Sequence, residues 1–364
     1  MALLGVNSLQ QFVIPTYWDA ATLEKFRLAD GTTYAQLVAD INAALAIANA
    51  DVLADPLNAS LMSPTTELAV EYGIGVSNGF QTHTEYGKPD AKRGATTGHM
   101  LPLEGFDRGI GWTSDFLRKA RRAQIDADIA SAIRDLKDLW QQKLLTRLFK
   151  STYTAVGSAG RSMPLADGGT ADSTYVPLPR PDRAAAFAYT HDHIHNLNGI
   201  TQALLETAIG NLWEHGYDAP FDLVVAAADI ASWVNTTNVT GFVAKASGLI
   251  RYGITADLAQ VGADYIGVID TKYGEVRVRA SGRIPTTYWA AYKSYGSLDA
   301  RNPLVVRVDP EYGPQAFLKS AAAQMVDPLQ EAIIYVEFGV GVQDRVGAVA
   351  YINSAGGYSD PTIS

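Results

Sequence analysis

Cysteine is missing from all 364 residues. That absence excludes disulfide staples, thiolate catalysis and cysteine-ligated zinc or iron-sulfur centres. Positive charge is also short: 29 Lys and Arg stand against 38 Asp and Glu, a formal net charge of -9. A groove that grips a phosphate backbone normally leaves a basic stripe, so direct reading of a nucleic-acid sequence is not expected. Uninterrupted apolar runs stay short of a membrane span, and no Lys or Arg precedes Lys25, unlike the charged start of a signal peptide. The expectation is a soluble protein made in the cytoplasm. Catalytic signatures are absent as well. Gly75-Val76-Ser77-Asn78-Gly79 has the GxSxG spacing, but no helix is expected after it, so it makes no nucleophile elbow. There is no GxxxxGK[ST] loop and no HExxH, and Asp126 and Asp128 lack the glycine of a calcium loop.

The most organised stretch runs from Thr113 to Lys150. Leu117, Ile125, Ile129, Ile133, Leu136, Trp140, Leu144 and Leu148 recur at steps of three, four or eight, which predicts a long amphipathic helix. Thr113 or Ser114 suits its N-cap, and Lys143, Arg147 and Lys150 suit the negative end of its dipole. At about 1.5 Å per residue the rod is on the order of 50 Å long, more than a domain of this size needs. Its apolar steps drift from a strict heptad, and no second long helix is present to make a coiled coil. Arg118, Lys119, Arg121 and Arg122 form the single basic cluster. It reads first as a solvated helix start, and second as a contact for an acidic neighbour or packaged nucleic acid.

Before that rod, residues 1 to about 30 read as an arm. Leu3, Leu4, Phe12, Val13, Ile14, Tyr17 and Trp18 follow no helical or strand period, so a neighbouring subunit is the natural cover for them. Thr33 to Leu53 places Leu37, Ile41, Leu45 and Ala48 on one face of a shorter helix that ends before Pro56. Next, Leu68 to Thr84 and His99 to Trp112 read as the two strands of a long hairpin with the tip GKPDAKRGATTG. An isolated ribbon of two strands is marginal in water, so this one needs a partner surface. Gly73, Gly75 and Gly79 are read as bulges and twist points, since no helix follows them as a dinucleotide-binding loop requires.

After the rod, residues 151 to 200 are loop-rich, and Thr201 to His215 predicts a helix stopped by Gly216. Phe221 to Val225 reads as a buried strand, with a short helix from Ala228 to Val234. Further strands are expected at Ile266 to Ile269, Glu275 to Ala280, Ile284 to Ala290, Leu304 to Val308, Ile333 to Phe338 and Asp344 to Ile352. Helices and strands mix without a repeating βαβ rhythm, so the fold class is α+β.

The sharpest chemical candidate is His191-Asp192-His193-Ile194-His195. On a strand, His191, His193 and His195 would face one way and could ligate one zinc with water in the fourth place, as a metal-dependent hydrolase would need. Against that stands the missing second shell: no further histidine cluster exists, and the run leads directly toward a predicted helix. The preferred reading puts these histidines in a loop or at the start of a helix, with no metal, no cofactor and no catalytic residue.

The order of elements resembles the major capsid protein of tailed bacteriophages. Arm, glycine-bearing hairpin with a charged tip, very long helix, loop-rich segment and mixed lobe follow in turn, and FDLVVAAADIASWVN and the closing GVGVQDRVGAVAYI are its best local matches. That fold is shared with encapsulins and the herpesvirus capsid floor. The resemblance implies an N-terminal arm at 1–60, an extended hairpin at 61–112 and a peripheral domain at 113–220 with the spine helix. An axial domain at 221–325 follows, and the last strands, 326–364, return to the peripheral domain. It further implies an icosahedral shell of hexamers and pentamers around double-stranded DNA, with a portal, and separate scaffolding or decoration proteins as partners. Lys88, Asp90, Lys92 and Arg93 would form the intersubunit hairpin tip; Arg118, Arg121, Arg122 and Trp140 would mark the spine. With the hairpin so near the first residue, a cleavable scaffolding segment of the kind some family members carry is not expected. An encapsulin-like cargo compartment differs only in its contents.

Overall fold

A computed structural model of the chain describes residues 27–74, 95–111, 116, 119–152, 154–155, 161–167, 177, 180, 192–244, 265–320 and 331–363. In chain order these residues form α1 (Tyr34–Ala54), α2 (Pro56–Leu61), β1 (Met62–Thr65), β2 (Ala69–Ile74), β3 (Ala95–Met100) and β4 (Glu104–Gly111). Then come α3 (Arg122–Phe149), β5 (Thr154–Ala155), β6 (Arg161–Ser162), β7 (Ile194–Leu197), α4 (Gln202–Trp213), β8 (Phe221–Ala226), α5 (Ile230–Trp233) and β9 (Phe242–Ala244). The chain closes with β10 (Gly267–Thr271), β11 (Gly274–Ser281), β12 (Tyr288–Tyr292), β13 (Leu304–Val308), β14 (Phe317–Ser320), β15 (Glu331–Val342) and β16 (Ala348–Asn353). Two units divide it: residues 1–55, 103–140 and 308–339, and residues 56–102, 141–307 and 340–364.

In the first unit, α1 begins at a capping box. Thr33 Oγ1 accepts from the Gln36 N–H at 3.2 Å and Gln36 Oε1 accepts from the Thr33 N–H at 3.0 Å, which satisfies two amides that the first turn leaves over. Tyr34, Leu37, Ile41, Leu45, Ala48 and Val52 are its buried stripe, at the spacing the sequence predicts. The helix is long and apolar enough to cross a membrane by length and composition alone. Asp40, Asn42, Asn49 and Asp51 interrupt its apolar run, and the core helix of a soluble protein can have the same length and composition. Asn49 reaches the strand edge beside it. Its amide donates to the Ala316 carbonyl and accepts from the Ala316 N–H, both at 2.9 Å, as a neighbouring strand would.

The strands of this unit are antiparallel, with β15 between β14 and β4: Phe317 lies opposite Tyr335, and Phe106 opposite Val336. Here the expected hairpin is corrected. His99 to Trp112 is not one strand: β3 pairs with β2, while β4 pairs with β15, and Ala95–Gly98, expected at the tip, lie on β3. Local pattern identifies a strand but not its partner, because the ladder is non-local.

A second correction concerns the long helix. It runs from Arg122, not from Thr113, and at about 1.5 Å per residue its 28 residues span about 42 Å. The Ala120 carbonyl is taken by the Ala29 N–H at 3.2 Å, and Asp30 Oδ2 accepts from the Arg122 N–H at 2.8 Å. A carboxylate distant in sequence therefore caps this N-terminus, where the helix dipole favours negative charge. The Arg122 N–H is also the main reason the Asp30 carboxyl is held below its usual range. Ile125, Ile129, Leu136, Trp140, Leu144 and Leu148 are buried as the period predicts, whereas Ile133 is half-buried. Beyond Trp140 the stripe widens: Leu145, Arg147 and Phe149 are buried too.

The second unit is built on a seven-stranded sheet in the order β7-β16-β12-β8-β11-β10-β9. The β7/β16 and β8/β11 pairs are parallel, and the others for which a register is known are antiparallel. Phe221–Ala226 is buried along its whole length, as its apolar run, interrupted only by Asp222, suggests for a central strand. Helix α4, capped by Thr201, packs Leu205, Ala208, Ile209 and Leu212 against Leu223, Val225, Val278, Trp289 and Tyr351. The strand expected at Ile284–Ala290 is β12, shifted toward the C-terminus. A turn occupies its predicted start, where the Tyr288 N–H meets the Pro285 carbonyl and Thr287 has φ 79°. Likewise Asp344–Gly347 is a turn closed by the Asp344 carboxylate on the Val346 N–H, so the last strand begins at Ala348.

Candidate functional site

The root of the β2–β3 hairpin carries a dense group of polar side chains. Val70 pairs with His99 and Tyr72 with Thr97, so Val70, Tyr72 and His99 share the inward face and join Leu101, Ala166, Val305 and Val346 in a small core. Tyr72 donates its hydroxyl to the Val342 carbonyl at 2.6 Å, and the same oxygen lies 3.1 Å from His99 Nδ1. A carbonyl only accepts, so the Tyr72 oxygen accepts from a protonated Nδ1, and the neutral ring keeps its lone pair on Nε2. Two arginines lie close to this group. Arg345 is fully buried, donates Nε to the Pro164 carbonyl at 3.0 Å and holds its guanidinium 5.6 Å from the Tyr72 ring centre. Arg147, on the buried end of α3, has its pKa pushed down to about 10 by burial. Burial, reinforced by Arg147 and Arg345, brings the His99 imidazole down to about 4.

The histidine run divides. His191 lies outside the described residues. His193 is fully buried, its Nδ1 2.9 Å from the Ala348 carbonyl and its Nε2 3.0 Å from His215 Nε2. His195 sits on β7, with Nε2 2.7 Å from the Asp192 carbonyl and 3.2 Å from Asn211 Nδ2. For His195 the expected loop or helix start is thus corrected to a strand, because Ile194–Leu197 pairs in parallel with Ala350–Asn353, whereas His193 lies just before that strand. His193 and His195 are engaged by different partners, and among the described residues no group of three His, Cys, Asp or Glu could hold a metal.

Of the residues expected to mark contacts between subunits, Lys88, Asp90, Lys92, Arg93 and Arg118 lie outside the described residues. Arg121 is exposed. Arg122 is not simply solvated: it bonds Asp40 at 2.7 Å and Asp126 at 2.6 Å. Trp140 stacks on Phe338 with ring centres 4.0 Å apart and an angle of 13°, and Phe106 packs on the other ring at 5.1 Å. Sequence reasoning missed Tyr72, His99, Arg147 and Arg345 as a group. Its one available signal was the two-residue step that puts Tyr72 on the same side as Val70.

No protein-family model and no curated protein matches the sequence. Among solved structures, a chain from Mycobacterium phage Patience is 23% identical and covers 94% of this chain and 94% of its own length, with a TM-score of 0.62. The capsid of Ralstonia phage GP4 is similar at 11% identity over 82% of this chain and 92% of that one, with a TM-score of 0.45. The SrpI encapsulin of Synechococcus elongatus PCC 7942 is similar at 12% over 80% and 84%, with a TM-score of 0.43. These lower scores add nothing to the assignment of fold. With the Patience chain matched almost end to end, this mixed α and β chain shares the fold of that Mycobacterium phage chain.

Proposed function

We propose that the chain is the structural subunit of an icosahedral bacteriophage capsid, assembling into hexamers and pentamers around double-stranded DNA. What supports this reading most is the likeness in fold to the Patience phage chain over 94% of both. A shell subunit needs no catalytic centre, and we read this chain as a non-enzyme whose chemistry is contact with copies of itself. In this reading residues 1–60 are the arm, 61–112 the extended hairpin, 113–220 the peripheral domain with its spine and 221–325 the axial domain, with 326–364 returning to the peripheral domain. Lys88, Asp90, Lys92 and Arg93 meet a neighbouring subunit. A portal and separate scaffolding or decoration proteins complete the particle, and the net charge of -9 suits a wall that faces packed DNA without gripping it. The chain is made in the host cytoplasm and ends in the virion.

Negative-stain electron microscopy of the purified protein, with light scattering, tests this. Closed shells of uniform size are expected. A monodisperse monomer at high concentration, with or without scaffolding protein added, overturns the reading.

A further inference from the structure

We infer that His99 is an acid-sensitive lock on the root of the β2–β3 hairpin, holding the ribbon against its own unit while neutral and releasing it when protonated. This stands apart from the capsid reading, since it concerns only contacts within one unit of one chain.

The geometry leaves one place for an added proton. His99 Nδ1 is already protonated, because it donates to a tyrosine whose own proton goes to the Val342 carbonyl. Nε2 is buried and has no hydrogen-bond partner among the described residues. The backbone at Gly341 closes over it: a Cβ built there would lie 2.8 Å from Nε2 and run into Leu101. A proton on Nε2 would therefore create a cation with no acceptor, in a site 6% exposed.

The charged surroundings work the same way. Facing this group are Tyr72 from β2, Arg147 from α3, Arg345 from the turn before β16, and Arg307 from β13, which donates to the Leu101 carbonyl at 2.7 Å. Asp360 acts on Arg147 from the C-terminal segment, and Asp344 is bonded by Tyr217, which packs on the same core. Burial raises the Asp344 carboxyl, so its contribution to stability is lost as pH rises, opposite in sign to an acid release. Asp360 is held below 3.8, so its loss comes only at lower pH. Between pH 8 and pH 5 the histidine alone in this group changes charge against the fold.

The sign follows from linkage. A histidine of 6.5 when unfolded and about 4 when folded contributes stability that is complete above 6.5 and falls as pH drops toward 4. The opening equilibrium of the root is then about 30-fold larger at pH 5 than at pH 8. Hydrogen exchange of the full chain at both pH values, corrected for intrinsic rates, reads this on the amides of Ala69–Ile74 and Ala95–Met100. His99→Asn keeps a donor toward Tyr72 and cannot titrate; it is expected to show less than a twofold difference. Deuterium uptake at the His99 ring carbon of the unaltered protein gives a second reading that needs no variant, with an expected midpoint near 4. Equal opening at the two pH values, a pH response that survives in His99→Asn, or a ring midpoint near 6.5 would each overturn the lock.

Discussion

Asp222 and Arg279 show what a single buried charge demands. Asp222 is 2% exposed at the start of a strand that is otherwise apolar, and burial raises its carboxyl against the opposing pull of Arg279, whose Nε lies 3.1 Å away. Removing one member of such a pair strands the other in a medium that solvates it poorly. Arg279→Ala is expected to lower stability by about 3–5 kcal/mol in urea unfolding, and adding Asp222→Asn should restore most of that loss. An equal loss in the double variant would mean that packing, not charge, is at stake. Neither residue stands out in sequence. The alternation of GEVRVRAS marks Val276 and Val278 as inward, but only the parallel register, with Arg277 opposite Asp222 and Arg279 opposite Val224, brings the ion pair together.

Elements differ in how locally they are determined. Helix α1 carries its own start in Thr33 and Gln36, three residues apart, so Thr33→Ala should cost about 1 kcal/mol in thermal unfolding. A change near zero would show that the burial of Leu37, Ile41 and Leu45 sets its boundary instead. Helix α3 is the opposite case, since its first amide is capped by Asp30. The hairpin depends on a missing side chain: a Cβ at Gly98 would run into the Val70 carbonyl on the facing strand. Gly98→Ala is expected to strip exchange protection from β2 and β3 while α4 keeps its own. If both hold, the strands accommodate the methyl and the close approach is not required.

At the scale of the molecule, the proposed shell predicts that its hairpin acts between subunits. Replacing residues 75–94 with a short glycine turn should yield a soluble, folded chain that sediments as small species. Complete shells from that variant would count against an intersubunit role for the hairpin. The apolar periods that make α1, α3 and α4 were legible in the residues themselves, as were the buried run of β8 and the order of elements that resembles a capsid chain. Periods of 3.6 and 2 are properties of neighbours along the chain, and burial follows from them wherever a face is continuous. Only the tertiary structure decided that β4 leaves β3 to pair with β15, that Asp30 sets the start of α3, and that His99 lies beside two buried arginines. Strand partners, distant caps and buried charges depend on residues brought together by folding, and no local pattern records which of them will meet.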